Sequence, residues 1–185
     1  MFLGGGMFYY TVGFVILFLI TISFFLKLKL TQDKIIYCLF LIYILGAISK
    51  VYFPIPFEHG FLEIFKEMRP LDNNIDWINL IPFKGAFGRH IKHSFLNILL
   101  FVPLGTFTYY FSKKIKTTFI VVIISTFVIE ISQLLANILY GFAYRIVDIN
   151  DIIFNITGGI IGMIIMIVIF KVNLNLFGIN FKNKD

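Results

Sequence analysis

Polar positions are sparse along the 185 residues and fall between long apolar runs, and their spacing predicts helices. Phe8 to Leu26, Ile35 to Phe53, Ser94 to Phe111, Phe119 to Leu139 and Ile152 to Phe170 are each nearly free of charge. At about 1.5 Å per residue, runs of about 17 to 25 residues cross a hydrocarbon core roughly 30 Å thick. The pattern predicts an all-α integral membrane protein with five transmembrane helices in one membrane domain spanning residues 1–185. The opening Met-Phe-Leu-Gly-Gly-Gly has no basic segment and no small-residue cleavage site, so the first run reads as a retained helix.

Between the second and third runs, Pro54 to Lys92 forms the one long connection. Within it, Phe61, Leu62, Ile64, Phe65 and Met68 alternate at helical spacing with Glu63, Lys66, Glu67 and Arg69. This predicts an amphipathic segment, either lying on the membrane surface or packed as a cap over helix ends. Trp77 suits the interfacial aromatic belt, and Pro82 breaks the helix pattern, giving a shallow loop. Ser94 is a candidate N-cap of the third span, with Pro103 and Gly105 favouring a kink.

The polar residues within the last two runs organise the chemistry. Thr126, Glu130, Gln133 and Asn137 step by 4, 3 and 4. Arg145, Asp148, Asp151, Asn155, Gly158 and Gly162 step by 3, 3, 4, 3 and 4. Helical spacing puts each set on one face. Ionisable or amide groups facing lipid cost several kcal/mol, so these faces must turn toward protein or a wet cavity. His90, His93 and Asn97 step by 3 and 4 at the start of the third span. Gly158 to Gly162 is a small-x-x-x-small pair, expected to bring the fourth and fifth spans together.

Composition agrees: 59% hydrophobic and 14% charged residues exclude an ordinary soluble domain. The net charge of +6 is spread between apolar runs, as orientation signals are, which argues against nucleic acid as a partner. The single cysteine, Cys38, excludes a disulfide framework within the chain. Lys27, Lys29 and Lys34, then Lys113, Lys114 and Lys116, then Lys171, Lys182 and Lys184 mark the cytoplasmic connections and tail. The N-terminus is then outside and the C-terminus cytoplasmic. On that topology Glu130, Gln133, Asn97 and Asn155 lie in the outer half of the bilayer, below Arg145, Asp148 and Asp151.

The residues also resemble a known family. Asn79-Leu80-Ile81-Pro82-Phe83, then His93 and Asn97-Ile98-Leu99-Leu100-Phe101-Val102-Pro103-Leu104-Gly105, then Glu130-x-x-Gln133 are similar to the VanZ-like membrane proteins. So is Arg145-x-x-Asp148-x-x-Asp151-x-x-x-Asn155-x-x-Gly158-x-x-x-Gly162, giving four ordered motifs between about Trp77 and Phe170. The first two spans carry no matching motif. The resemblance implies a multi-span protein of the bacterial cytoplasmic membrane, in a family named for a member linked to resistance to the glycopeptide teicoplanin. It transfers no catalytic residues.

Two classes of function fit these residues. As a binding protein, the chain would hold a lipid headgroup, a cell-wall precursor or a glycopeptide antibiotic at an outer-leaflet polar cavity, using His93, Asn97, Gln133 and Asn155. As an enzyme acting on a lipid-linked phosphate, it would use Glu130 as general acid or base and Arg145 on the phosphate. Asp148 and Asp151, one helical turn apart, would then hold a hard cation. No cofactor and no metal-ligand set is fixed by the sequence. The bland alternative is that Glu130 and Gln133 bridge helices and that Arg145 pairs with an aspartate in a loop. Transport would require polar residues in the inner halves of the spans, where none comparable occurs.

Overall fold

The computed structural model describes residues 7–8, 32–52, 55–56, 59–71, 77–88 and 91–172. The first predicted span, apart from Phe8, lies outside the described residues, as do His90 and the tail after Val172. Five helices form among the described residues: α1 (Gln32–Tyr52), α2 (His59–Met68), α3 (Ile91–Ser112), α4 (Ile115–Tyr140) and α5 (Ile149–Val172). Four two-residue strands accompany them: β1 (Met7–Phe8), β2 (Ile55–Pro56), β3 (Ile78–Asn79) and β4 (Val147–Asp148). The fold is therefore all-α, with strands serving only as short ties.

α1, α3, α4 and α5 are each long and apolar enough to cross a membrane, and only 11% to 33% of each span is buried by protein. Exposed Leu39, Leu99, Ile124, Ile131 and Val168 would be untenable in water over such lengths and are what a lipid-facing helix requires. The chain is a multi-pass membrane protein. α2 lies within the stretch where an amphipathic helix was expected. On its surface exposed His59 Nδ1 lies 3.9 Å from Glu63 Oε1, a contact worth little in water.

The chain divides into two compact units, residues 1–79 with 129–148 and residues 80–128 with 149–185. In the first, β1 pairs antiparallel with β2, and β3 pairs parallel with β4, with Asn79 opposite Asp148. α4 ends where the Gly141 N–H donates to the Asn137 carbonyl at 3.0 Å, Gly141 taking a φ of 71° that suits a glycine after a helix. Fully buried Phe142 then packs on Phe65 of α2, ring centroids 5.6 Å apart. The Ala143 N–H donates to the Arg69 carbonyl at 2.9 Å, tying the end of α2 to the same segment.

The second unit is built on α3 against α5. Contacts rise together along both helices, from Asn97 with Asp151 to Val102 with Gly162 and Tyr110 with Phe170, so the two run parallel. A Cβ on Gly158 would collide with the Ile98 carbonyl, one on Gly162 with the Val102 carbonyl, and one on Gly105 with the Gly159 carbonyl. The Thr106 hydroxyl lies 3.1 Å from the Gly162 carbonyl and 2.9 Å from that of Val102. These glycines join α5 to the third span, not to the fourth as the sequence suggested. Gly159 alone turns to α4, where a Cβ would meet Val122.

Two local expectations are corrected. Ser94 is not an N-cap: α3 starts at Ile91, and the buried Ser94 hydroxyl donates to the Ala86 carbonyl at 3.2 Å, anchoring the preceding turns. α3 continues as helix through Pro103 to Ser112. Arg145 and Asp148 do not extend the helical face of α5, because that helix begins at Ile149 and Asp148 is paired in β4. Asp148 and Asp151 are therefore not one turn apart on a shared helix.

Glycine packing here is testable. Gly162→Ala forces a methyl into the Val102 carbonyl and is expected to destabilise the protein by about 1–3 kcal/mol. Gly60→Ala, in α2 with nothing within 4 Å of a new Cβ, is expected to be neutral or stabilising. Thermal melting in detergent reads both; equal melting of Gly162→Ala and wild type would contradict backbone contact between α3 and α5.

Candidate functional site

The predicted site residues divide between the units: Glu130, Gln133, Arg145 and Asp148 in one, His93, Asn97, Asp151 and Asn155 in the other. α4 bears out the sequence pattern directly. Along it Thr118, Val122, Thr126, Glu130 and Asn137 are the buried positions, with Gln133 half-buried between the last two. Glu130 is 4% exposed and Asn137 fully buried. An acid that deep in an apolar helix is an expensive group, whether held for packing or for chemistry.

Asn137 has a defined task. Its Nδ2 donates to the Arg145 carbonyl at 2.7 Å, and its Oδ1 accepts from the Arg145 N–H at 2.8 Å. An asparagine side chain offers one amide donor and one carbonyl acceptor, so it replaces a strand partner for one residue of loop. The Arg145 backbone is fixed by this, while its guanidinium lies over the Tyr144 ring at 5.0 Å. Burial raises the Tyr144 phenol above its ordinary pKa, with the Arg145 charge opposing that rise.

On the same unit the Asn79 Nδ2 donates to Asp148 Oδ1 at 2.9 Å, and the Val147 N–H donates to the Trp77 carbonyl at 2.9 Å. Asn79 was legible as part of the Asn-Leu-Ile-Pro-Phe motif but carried no assigned role. The Trp77 indole N–H is buried without a hydrogen-bond partner among the described residues.

In the other unit Asn97 and Asp151 meet, Asn97 Nδ2 donating to Asp151 Oδ1 at 2.5 Å. Sequence spacing proposed both and the fold joins them. Asp151 sits in the first turn of α5, where the helix dipole favours a carboxylate. One turn further along the same face, Asn155 is 3% exposed, and its Oδ1 has no hydrogen-bond partner among the described residues. His93 is exposed on the first turn of α3.

Asn150 is a residue the spacing argument passed over. It is 3% exposed, its Oδ1 accepts from the Phe83 N–H, and its Nδ2 donates to the Lys84 carbonyl at 3.3 Å. Phe83 takes a φ of 62°, and its ring meets Phe87 and Phe154. The signal was available only as an asparagine between two aspartates, off the 3-4 rhythm of its neighbours. Among the described residues, no group of three or more His, Cys, Asp or Glu is placed to hold a metal ion.

Comparison with known proteins adds one finding. The sequence model of the VanZ/LLP1 family matches residues 35–171, well over half of the chain, including the α1 span for which no motif was evident. No curated protein and no solved structure matches.

The Asn137 clamp gives a prediction. Asn137→Ala removes both bonds to the Arg145 backbone and is expected to cost about 1–3 kcal/mol. Asn137→Asp keeps the acceptor and loses the donor, so it should also destabilise. Hydrogen exchange at the Arg145 amide is expected to accelerate in Asn137→Ala and to stay nearer wild type in Asn137→Asp; unchanged protection in both would refute the clamp.

Proposed function

The chain belongs to the VanZ/LLP1 family of membrane proteins, and from that premise we propose that it binds a polar ligand of the bacterial envelope within its helices. The ligand classes are a lipid headgroup, a lipid-linked cell-wall precursor or a glycopeptide antibiotic, the last giving a role in teicoplanin-type resistance. The observation that carries this reading is the row Asn97, Asp151 and Asn155 at the α3–α5 contact. A carboxylate bonded to an amide, followed one turn on by a buried carbonyl lacking a donor, is a costly arrangement in apolar helices. A bound group supplying hydrogen-bond donors would offset that cost.

Topology supports an outward-facing site. α3 and α5 run parallel, so Ile91 and Ile149 begin at the same membrane face, while Lys113, Lys114, Lys116 and Lys171 lie at the opposite ends. Lysines concentrate on the cytoplasmic side, which puts Asp151 toward the outer leaflet, with the N-terminus outside and the C-terminus cytoplasmic. Exposed Ile64 and Met68 of α2, one turn apart, fit a helix resting on a membrane surface.

The enzyme reading rests on a different observation, the burial of Glu130. In it Glu130 is the general acid or base for a lipid-linked phosphate, and Arg145 binds that phosphate. Turnover separates the two readings: the binding protein retains its ligand unchanged, and the enzyme converts it.

Native mass spectrometry in mild detergent is expected to find a co-purifying lipid-linked wall precursor, or uptake of added teicoplanin. Asp151→Asn is expected to weaken retention by roughly tenfold or more, since a hydrogen bond to a charged group is worth about 1.5–3 kcal/mol, with folded yield similar to wild type. Glu130→Gln should abolish any conversion. Wild-type retention in Asp151→Asn, or loss of folded protein in both variants, would make these groups structural.

A further inference from the structure

The end of the second unit opposite Asp151 has its own chemistry. After Ser112 the chain turns sharply: Lys113 takes a φ of 52°, and its N–H donates to the Tyr109 carbonyl at 2.8 Å. The Lys114 N–H donates to the Ser112 hydroxyl oxygen at 3.2 Å, and α4 starts at once with Ile115 and Lys116. Phe170, near the end of α5, stacks with Tyr110 at 6.0 Å between centroids, and Lys113 Nζ lies over the Phe170 ring at 5.3 Å. Lys171 follows directly.

Lys113, Lys114, Lys116 and Lys171 are therefore gathered at one end of the unit, and all are exposed. None has an acidic partner among the described residues, where Asp151 is the sole acid of this unit. It lies about 30 Å away, the length of α5 between it and Phe170. The N-terminus of α4 adds the positive end of a 26-residue helix to the same place. Around the lysines, Phe111, Ile115, Phe119 and Val172 expose large apolar surfaces.

We propose that this end is a binding site for the phosphate of an acidic phospholipid. Lys114, Lys116 and Lys171 supply the counter-charges, and the Lys113–Phe170 stack forms the rim. The apolar surroundings decide for a lipid: acyl chains cover Phe111, Ile115, Phe119 and Val172, which a soluble phosphate would leave uncovered. The uncompensated lysines decide for a net negative headgroup, because a zwitterionic lipid brings its own ammonium group. The site is independent of the ligand reading at Asp151.

The test is native mass spectrometry of the full chain in mild detergent, titrated with phosphatidylglycerol or with phosphatidylcholine. Phosphatidylglycerol is expected to bind the more tightly, and the triple variant K114Q/K116Q/K171Q to lose roughly tenfold or more of that affinity. A control triple K66Q/K84Q/K92Q, with the same loss of charge elsewhere, is expected to keep it. Single variants Lys114→Gln and Lys171→Gln should each weaken binding a few-fold, which keeps the proposal testable if the triple variant folds poorly. Equal losses in the two triples would reduce the effect to net charge and overturn the site, as would absence of headgroup preference. Displacement of the lipid by millimolar inorganic phosphate alone would assign the site to a soluble anion and overturn the lipid.

Discussion

The close approach of α3 and α5 is the constraint on which the second unit depends. In a bilayer there is no hydrophobic drive to bring two apolar helices together, so packing and interhelical hydrogen bonds must do it. At Gly158, Gly162 and Gly105 the glycines let backbone lie on backbone. At that separation short side chains are long enough: the Thr106 hydroxyl reaches the Gly162 carbonyl, and the Asn97 amide reaches the Asp151 carboxylate. The polar row thus inherits its geometry from the glycines below it. A methyl at Gly158 would move both partners of a bond one turn or more away from itself.

Asparagine is the residue by which this chain closes its irregular segments. Asn137 holds the Arg145 backbone, Asn150 holds Phe83 and Lys84, and Asn79 holds the Asp148 carboxylate. Each side chain supplies donor and acceptor without a charge, so it can be buried beside lipid-facing helices at lower cost than an acid or a lysine. These three are accounted for by structure alone. What they leave over is Glu130 in one unit and, in the other, Asn155 one turn from half-buried Asp151; the burial of Glu130 and Asn155 is not explained by the loops.

Much of this is legible in the sequence, for particular reasons. Long runs nearly free of charge foretold α1, α3, α4 and α5 to within a few residues at most ends, because length against bilayer thickness is a strict requirement. The 4-3-4 stepping of Thr126, Glu130, Gln133 and Asn137 foretold the buried face of α4, because a polar group in such a helix has only one tolerable direction. Spacing failed where the backbone stops being helical. Arg145 and Asp148 fitted the 3-4 rhythm by coincidence, since two-residue strands such as β3 and β4 leave no periodicity to read. The partner of Gly158 and Gly162 was misjudged for a related reason: small residues announce a close contact without naming the helix that makes it.

Within the second unit Asp151 lies at one end, where Lys84 and Lys92 also fall, and Lys113, Lys114, Lys116 and Lys171 gather at the other. The same asymmetry that orients a chain in the membrane therefore also separates two kinds of recognition. A bare phosphate is drawn to the lysines and repelled by Asp151, whose carboxylate already accepts one amide hydrogen bond and retains capacity for more acceptor bonds. Asn155 adds a second acceptor one turn away. On the proposed reading, the ligand at that end must present donors, such as the hydroxyl, amide or ammonium groups of a sugar or peptide. That condition favours a wall precursor or a glycopeptide over a simple phospholipid at Asp151, and leaves the acidic phospholipid to the lysines.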